Sequence, residues 1–464
     1  MKTRYLLWAL LALAITSCQG GKTAAGDGDG GDTVKMKYAQ LLTIVKHGGE
    51  HDEHDGGYAE HVGEYAEHVG EYAEHVGEYA EVTIANPWKE GTLLHRYILV
   101  PKGEEGNKTV ARLAMQRSAG ARCVTDTVRT PVENSAVFTS PHCQLLYELG
   151  CGQAIRGVCD LDYINIPDVK KRAASGNSRG SSADNNGSSP SIVDCGSSMA
   201  PDIERIIALK PEAILISPFE NSGGYGKLDK LHIPLIEVAD YMETSPLGRA
   251  EWMKFYGMLF EKSDVKDNKG DTASSKAETS SNKADISSSK ADSLFAKIEK
   301  EYLNLKAAAK KLPAGLSVLT ERKTGSVWYV PGGQSTIGIL LKDANARYIF
   351  SEDQHSGSLA MSPEQILAKA KNIDVWAFKY FGGEPLSRSQ LLQEYAGYKS
   401  LAAFGSSRIY QVDTSREPYF EITSFHPEVL LREFILLSHP ADNARFAKYD
   451  KEIRKLGKLR FYKK

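Results

Sequence analysis

The chain has 464 residues, of which 41% are hydrophobic and 25% are charged, with a formal net charge of −2. This length accommodates two or three domains of ordinary size, and the composition is typical of globular proteins. The near-neutral charge argues against a polyanionic partner, so no nucleic acid is expected to bind.

The N-terminus has the pattern of a secretory signal. Lys2 and Arg4 precede an apolar stretch, residues 5–15, that is too short to span a bilayer comfortably as a permanent helix. The next residues complete the sequence ITSC, which resembles a bacterial lipobox in which Cys18 receives the lipid. We therefore interpret residues 1–18 as a lipoprotein signal peptide; the alternative is an ordinary secretory signal with a chance cysteine. The expected location is the cell envelope, with the protein anchored by lipid and facing the periplasm or the outer surface.

The other five cysteines include no CxxC pair, which argues against a thiolate metal site of the zinc-finger type. Cys159 and Cys195 each follow an apolar segment, and a disulfide between them is compatible with an oxidising compartment. The sequence alone leaves their pairing open.

Residues 19–127 are interpreted as a linker, a histidine-rich repeat insertion and a β-rich extension. The motif HVGEYAE occurs three times in tandem between His61 and Glu81. When the copies are removed, the flanks join as GGYAEVTIANPW, in which YAEVTIA has the alternation of a β-strand. The later stretch NPWKEGTLLHRYILVP also alternates, and it predicts an added hairpin region packed on the domain that follows.

A group of histidines precedes and continues into these repeats. His47, His51 and His54 lie among acidic residues in HGGEHDEHDGG, and the repeats add three more histidines. Imidazoles beside carboxylates are ligands that zinc, copper or a haem iron accepts, so the first three are a predicted metal site. The alternative is a solvated, expandable loop whose histidines have no specific role.

Strands and helices alternate in residues 128–260, which we predict to form an N-terminal lobe. Apolar strands and helical segments follow one another in VRTPVENSAVFTSPHCQLLYELGCGQAIRGVCD, PDIERIIALKPEAILISPFEN and KLHIPLIEVADYME. This alternation predicts a mostly parallel sheet covered on both faces. Residues 172–191 and 261–292 are rich in small polar and charged residues and are interpreted as surface insertions.

Residues 293–312 are predicted to form one long connecting helix. The stretch SLFAKIEKEYLNLKAAAKK has apolar residues at helical spacing, and Pro313 and Gly315 follow it. The strand–helix alternation then restarts in residues 313–464, the predicted C-terminal lobe. The predicted fold class is therefore α/β: two Rossmann-like lobes with parallel-rich sheets joined by one long helix, plus the N-terminal β-rich extension. Loops at the carboxyl ends of both sheets would face each other across a cleft, where such folds bind ligands.

Four motifs, in this order around the long helix, resemble the substrate-binding proteins of ABC importers for cobalamin, iron–siderophores and haem. They are SPHCQLLYELGCGQAIRGV, MAPDIERIIALKPEAILI, SPEQILAKAKNIDVWAF and HPEVLLREFILLSHP, and the resemblance spans roughly residues 128–437. It implies a protein that captures an iron complex (siderophore or haem) or cobalamin between its lobes and delivers it to an ABC permease dimer and its ATPase. It also implies a monomer without an intrinsic cofactor.

The resemblance implies roles for two glutamates. In this family one glutamate on each lobe docks into arginines of the permease, and the matching positions are Glu204 in PDIERI and Glu364 in SPEQIL. Two carboxylates held apart by rigid lobes would make a two-point ion-pair latch. The alternative is that each is a first-turn acid favoured by the helix dipole.

The resemblance also implies that ligand contacts come from the loops after the strands, where aromatic side chains supply broad, stiff contact surface. The predicted ligand-binding residues are Ser140, His142, Asp160, Tyr163, Ser197, Ser198, Met199, Phe219, Glu220 and Asn221 in the first lobe, and Trp328, Tyr329, Gly332, Gly333, Ser335, His355, Tyr419, Phe420 and Glu421 in the second.

Two other functions fit parts of the sequence. The histidine-rich region suits a zinc- or manganese-binding transport protein of the related two-lobed class, or a surface scavenger of metal or haem. An enzyme is not expected, because the chain has no H-E-x-x-H, no P-loop and no CxxC.

Overall fold

The computed structural model describes residues 31–48, 78–116, 124–176, 189–220, 224–262 and 289–464. These residues form an N-terminal sheet, a first lobe, a long helix and a second lobe. None of the described helices is long and apolar enough to cross a membrane.

The N-terminal part is a five-stranded sheet whose strand order follows the chain. Its elements are β1 (Asp32–Val34), β2 (Leu42–His47), β3 (Tyr79–Ala85), β4 (Leu93–Pro101), α1 (Glu104–Gln116) and β5 (Thr125–Thr130). Strands β1 to β4 are antiparallel, while β5 runs parallel to β4 after the crossover through α1. The predicted strand YAEVTIA is confirmed as β3, in which every second residue is buried because one face packs against the core. Strand β3 starts at Tyr79, which pairs with His47 at the end of β2.

The first lobe has a five-stranded parallel sheet covered by helices on both faces, as predicted. Its elements are β6 (Ser135–Val137), α2 (Ser140–Glu148), β7 (Ile155–Val158), α3 (Pro167–Gly176), β8 (Val193–Asp194), β9 (Gly196–Ser197), β10 (Ala200–Pro201), α4 (Ile203–Leu209), β11 (Ala213–Ile216), β12 (Leu235–Glu237), α5 (Pro246–Glu251) and α6 (Met253–Phe260). The strand order is β12-β11-β6-β7-β8, and β9 and β10 form a small hairpin. The boundary predicted at residue 128 lies inside β5, so the sheet of this lobe begins later, at β6.

The N-terminal sheet is joined to the first lobe by hydrogen bonds to the edge strand β12. The hydroxyl of Tyr97 on β4 donates to the carbonyl of Leu235 and accepts the backbone N–H of Glu237, both at 2.8 Å. Tyr97 is fully buried in the hydrophobic core that the sheet shares with the first lobe. The predicted packing of the added β region on this lobe is therefore observed.

A single long helix, α7 (Lys290–Lys311), leads from the first lobe to the second. It begins three residues before the predicted Ser293, because the Ser289 side chain caps it by accepting the N–H of Asp292. Its buried residues recur every three or four positions and form one stripe that faces both lobes: Ala291, Phe295, Ile298, Tyr302, Leu305 and Ala309. Gly257 on α6 lets the two helices approach closely, since a Cβ there would lie 2.7 Å from Ala291 Cβ.

The second lobe combines a parallel sheet with a smaller antiparallel one. Its elements are β13 (Val318–Thr320), β14 (Lys323–Thr324), β15 (Val327–Pro331), α8 (Thr336–Asp343), β16 (Ser358–Met361), α9 (Pro363–Ala370), β17 (Val375–Tyr380), α10 (Arg388–Glu394), α11 (Ala402–Gly405), β18 (Ile409–Asp413), α12 (Tyr419–Thr423), α13 (Pro427–Ser438) and α14 (Asp450–Lys455). The parallel sheet has the order β13-β17-β18 and the antiparallel sheet has the order β14-β15-β16. The predicted fold class, α/β with parallel-rich sheets around one long helix and a β-rich extension, is confirmed.

Candidate functional site

The carboxyl ends of the parallel strands in the first lobe surround an open pocket of about 290 Å³. Its wall is made by the residues that follow β6 and β7 and by the β9–β10 hairpin. The lining residues are Phe138, Ser140, Cys159, Asp160, Tyr163, Ile164, Ser197, Ser198 and Met199. The wall combines apolar side chains with hydroxyl groups and one carboxylate, which is the usual composition of a small-molecule site.

The backbone of Asp160 shapes this wall. Asp160 follows β7 in the left-handed conformation (φ 52°, ψ 42°), which aspartate tolerates better than most residues. Its N–H donates to the carbonyl of Gly196 at 2.8 Å, and its carboxylate accepts the N–H of Ser198 at 3.2 Å. The loop after β7 is thereby fixed to the β9–β10 hairpin, and the short turn that follows presents Tyr163 at the rim.

Tyr163 forms an aromatic contact between the two lobes. Its ring is 61% exposed and lies 5.1 Å, centroid to centroid, from the ring of Phe381, which is 55% exposed and directly follows β17. Beside this pair, the Asn165 side chain donates to the carbonyl of Thr414 at 2.9 Å. The loops after β17 and β18 of the second lobe therefore meet the first lobe at the edge of the pocket.

Further aromatic side chains are exposed on both lobes. Phe219 follows β11 and Tyr241 follows β12, while Phe420 lies in α12 and Tyr329 in β15. Single exposed apolar side chains are common on protein surfaces, so these rings do not define a site by themselves.

The structure brings together part of the predicted ligand-binding set. Six of those residues line the pocket: Ser140, Asp160, Tyr163, Ser197, Ser198 and Met199. Others are exposed away from the lining: Phe219, Glu220, Tyr329, His355 and Phe420. The remainder of the described ones are buried: His142, Trp328, Gly332, Gly333, Ser335, Tyr419 and Glu421. Asn221 lies outside the described residues.

Three of the buried residues make internal contacts that support the fold. His142 sits beneath α2, where its Nε2 is 2.9 Å from Asp240 and 3.0 Å from the Tyr256 hydroxyl. Trp328 packs against Trp376 and Tyr398 in the core of the second lobe and donates its indole N–H to a backbone carbonyl. The Ser335 hydroxyl caps α8. The polar groups of these three side chains are already hydrogen-bonded within the protein.

Four residues at the site were not predicted: Phe138, Cys159, Ile164 and Phe381. Phe381 could have been predicted from the sequence, because it directly follows the buried strand VWAFKY and precedes two glycines. The sequence indicates Cys159 only as a disulfide partner of Cys195, whereas both are buried free thiols in this structure. Burial raises the pKa of each thiol, which keeps the pocket-lining sulfur neutral.

The two predicted docking glutamates occupy similar places in the two lobes. Glu204 is exposed in the first turn of α4, and Glu364 is exposed in the first turn of α9. The backbone N–H of Glu364 itself and the hydroxyl of the cap residue Ser362 lower the pKa of the Glu364 carboxyl. Each helix leads into a central parallel strand, β11 and β17 respectively.

The predicted metal site is described only at its first residue. His47 ends β2, where its ring stacks on Tyr79 with a centroid separation of 4.5 Å. His51, His54 and the predicted lipidation site Cys18 lie outside the described residues. Among the residues that the structure describes, no group of three or more His, Cys, Asp or Glu side chains is arranged to hold a metal ion.

Comparison with known families identifies the class of the second half of the chain. Residues 286–415, which cover α7 and the second lobe through β18, match the family described as periplasmic binding protein. The chain therefore contains a periplasmic binding protein domain, as the motifs indicate. This family consists of solute-binding proteins, which agrees with the expectation that the chain is not an enzyme.

Among individual proteins, the chain is similar to an uncharacterized lipoprotein of Methanocaldococcus jannaschii, with 23% identity over 253 residues. That match covers 54% of this chain and 53% of the relative, so the chain spans about half the length of the curated relative it matches. A solved Fe3+-hydroxamate transport protein of Saccharomonospora viridis has 16% identity and a TM-score of 0.45, covering 66% of this chain and 93% of its own. The molybdate-bound MolA of Haemophilus influenzae has 14% identity and a TM-score of 0.46, covering 73% and 96%.

Proposed function

We propose that this protein binds a metal-bearing small molecule between its lobes and delivers it to the permease and ATPase of an ABC importer. The proposed ligands are an iron complex with a siderophore or haem, or cobalamin. We further propose that the protein lies in the cell envelope, held by a lipid on Cys18. The observation that carries the proposal is the pocket at the carboxyl ends of the first-lobe strands, whose lining residue Tyr163 contacts Phe381 of the second lobe.

The chemistry of the pocket suits a large, partly flat ligand. Aromatic rings supply apolar contact area with little conformational freedom to lose, and the serine hydroxyls can accept or donate hydrogen bonds around the ligand's edge. The pocket is open, so a ligand larger than its volume can extend from the first lobe toward the second. An open site with apolar side chains and hydroxyl groups in its wall favours a complex over a bare ion.

Ligand titration tests the binding half of the proposal. Haemin, cyanocobalamin and ferrioxamine B are each added to the purified protein, and the quenching of tryptophan fluorescence gives Kd. We expect at least one to bind, and Tyr163→Ala to weaken that binding about tenfold, equivalent to about 1.4 kcal/mol. Tyr163→Phe keeps the ring and should bind within about twofold of the wild type. No response to any of the three would contradict this function.

Charge reversal tests the delivery half. Glu204→Lys and Glu364→Lys should abolish uptake of the ligand by cells while leaving its Kd unchanged, because exposed rim charges mainly set docking and orientation. Glu104→Lys is the matched control, since Glu104 is also an exposed first-turn glutamate but lies on α1 of the N-terminal sheet. Loss of ligand affinity in either lobe variant would place that glutamate in the binding site instead.

A further inference from the structure

The loops around the pocket carry an excess of carboxylates. In the first lobe, the described loop residues 138–141, 159–166, 196–201 and 217–220 contain no lysine or arginine. They do contain three acidic residues: Asp160, which lines the pocket, Asp162 and Glu220. In a concave site whose charges share one sign, the electric field is concentrated, and ligands of the opposite charge are attracted.

The facing loops of the second lobe do not add net positive charge to the site. Arg416 is the one cation in the described residues 381–387 and 414–418, and it is already engaged by two acids. Its guanidinium lies 3.4 Å from the Glu384 carboxylate and 3.6 Å from that of Asp413. A cation shared by two carboxylates offers little net positive field to an incoming anion.

Asp160 is the carboxylate in direct contact with the pocket space. The single hydrogen bond from the N–H of Ser198 occupies one of about four lone-pair positions on a carboxylate. Its remaining acceptor positions suit N–H or O–H donors, or a positive charge, on a ligand. The serine hydroxyls of residues 197 and 198 stand beside it.

We infer that this cleft selects cationic and neutral, donor-bearing metal complexes and discriminates against polyanionic ones. The inference rests on the proposed function and narrows it: a cationic ferric hydroxamate or an amide-rich, neutral corrinoid fits the charge of the site, and a dicarboxylate porphyrin does not. Asp160 is the residue that sets the preference, because it alone places a carboxylate in the pocket wall.

The test compares three probes of different charge at low and at moderate salt: ferrioxamine B (cationic), cyanocobalamin (neutral) and haemin (two carboxylates). We expect ferrioxamine B or cyanocobalamin to bind at least tenfold more tightly than haemin, with added salt weakening the cationic probe most. Asp160→Asn is nearly isosteric, tolerates the left-handed backbone and keeps an oxygen for the Ser198 N–H. It should weaken the cationic probe about tenfold and leave haemin unchanged or tighter.

The controls separate the possible failures. Asp442→Asn removes an exposed carboxylate on the surface of the second lobe and should leave all three Kd values unchanged. The thermal midpoint of each variant reports whether it folds. Tightest binding of haemin, or an unchanged Kd for the cationic probe in Asp160→Asn, overturns this inference and leaves the proposed function standing. Absence of binding by every probe overturns both.

Discussion

Glu251 connects the N-terminal sheet to the first lobe through hydrogen bonds. Its side chain, fully buried at the end of α5, accepts the backbone N–H groups of Lys37, Tyr38 and Ala39 at 2.7–3.0 Å. The Lys254 ammonium lies 3.0 Å away. Burial alone would raise the pKa of this carboxyl, but the three N–H donors outweigh burial and lower it. The chain just before β2 is therefore held by a charge that belongs to the first lobe.

We predict that Glu251→Gln lowers the free energy of unfolding by about 2–3 kcal/mol at pH 7, because an amide accepts these N–H groups less well and brings its own donors into their midst. The exposed Glu104→Gln is the control and should change stability by less than about 0.5 kcal/mol. Urea titrations measure both.

The pH dependence gives a second check on the same variant. A carboxyl whose folded pKa is lowered contributes stability that is complete above its unfolded pKa, near 4.5, and is lost as pH falls through the folded pKa. The difference between the wild type and Glu251→Gln should therefore shrink in acid below pH 4.5. A difference that stays constant there would mean that the carboxylate charge is not what holds the segment.

Sequence patterns indicate where a residue lies when its partners are near in the chain, and they say little when its partners are distant. His142 and Trp328 lie close to strand ends, where a loop is the local expectation. Their burial depends on Asp240 and on Trp376, which are far away in sequence. The Tyr163–Phe381 contact is another such case, since each ring follows a strand of a different lobe. No local pattern records which distant side chain a residue will meet.

At the scale of elements, periodicity was sufficient. Strand β3 and helix α7 were both predicted because alternation and helical spacing are local properties of the chain. Their boundaries moved by a few residues only where a cap intervened, as at Ser289. The domain boundary was harder to predict, because β5 directly precedes the first-lobe strands in the chain but pairs with β4 of the N-terminal sheet.

Helix α7 contains a buried and an exposed leucine, and comparing them measures how much its buried stripe contributes to the free energy of unfolding. Leu305 is 6% exposed within the stripe, and Leu303 on the opposite side is 42% exposed. We predict that Leu305→Ala lowers the free energy of unfolding by about 2–4 kcal/mol, because it removes buried methyl groups and leaves a cavity. Leu303→Ala should change it by less than about 1 kcal/mol. Equal effects in chemical denaturation would show that α7 is not held by this stripe.

At the scale of the whole molecule, α7 is not the only connection between the lobes. Helix α12 of the second lobe packs on α2 of the first, and the Glu421 carboxylate accepts the backbone N–H of Asn165 at 2.9 Å. Phe425 makes edge-to-face contacts with His142 and Tyr256. The second lobe therefore packs directly on the buried side chains of His142 and Tyr256 in the first lobe.

His426 adds an ionic contact to this second connection. Its Nε2 lies 2.7 Å from the Glu148 carboxylate on α2, and its Nδ1 lies 2.8 Å from that of Glu428 on α13. Burial alone lowers the pKa of the imidazole, but the two carboxylates outweigh burial and raise it to about 10. The ring is consequently a cation at neutral pH and bonds both lobes at once.

We predict that His426→Gln lowers the free energy of unfolding by about 2–4 kcal/mol at pH 6, because it leaves Glu428 buried without its cation. A histidine with a raised folded pKa contributes stability that is complete below its unfolded pKa, near 6.5, and is lost as pH rises through the folded value of about 10. Wild-type stability should therefore decline between pH 6.5 and 10, while that of the variant declines less. His355→Gln is the control, since His355 also pairs with a carboxylate but is exposed, and such pairs contribute about 0–1 kcal/mol. If the two variants lose equal stability, or if the wild type shows no decline over this range, the lobes are not joined by the His426 charge.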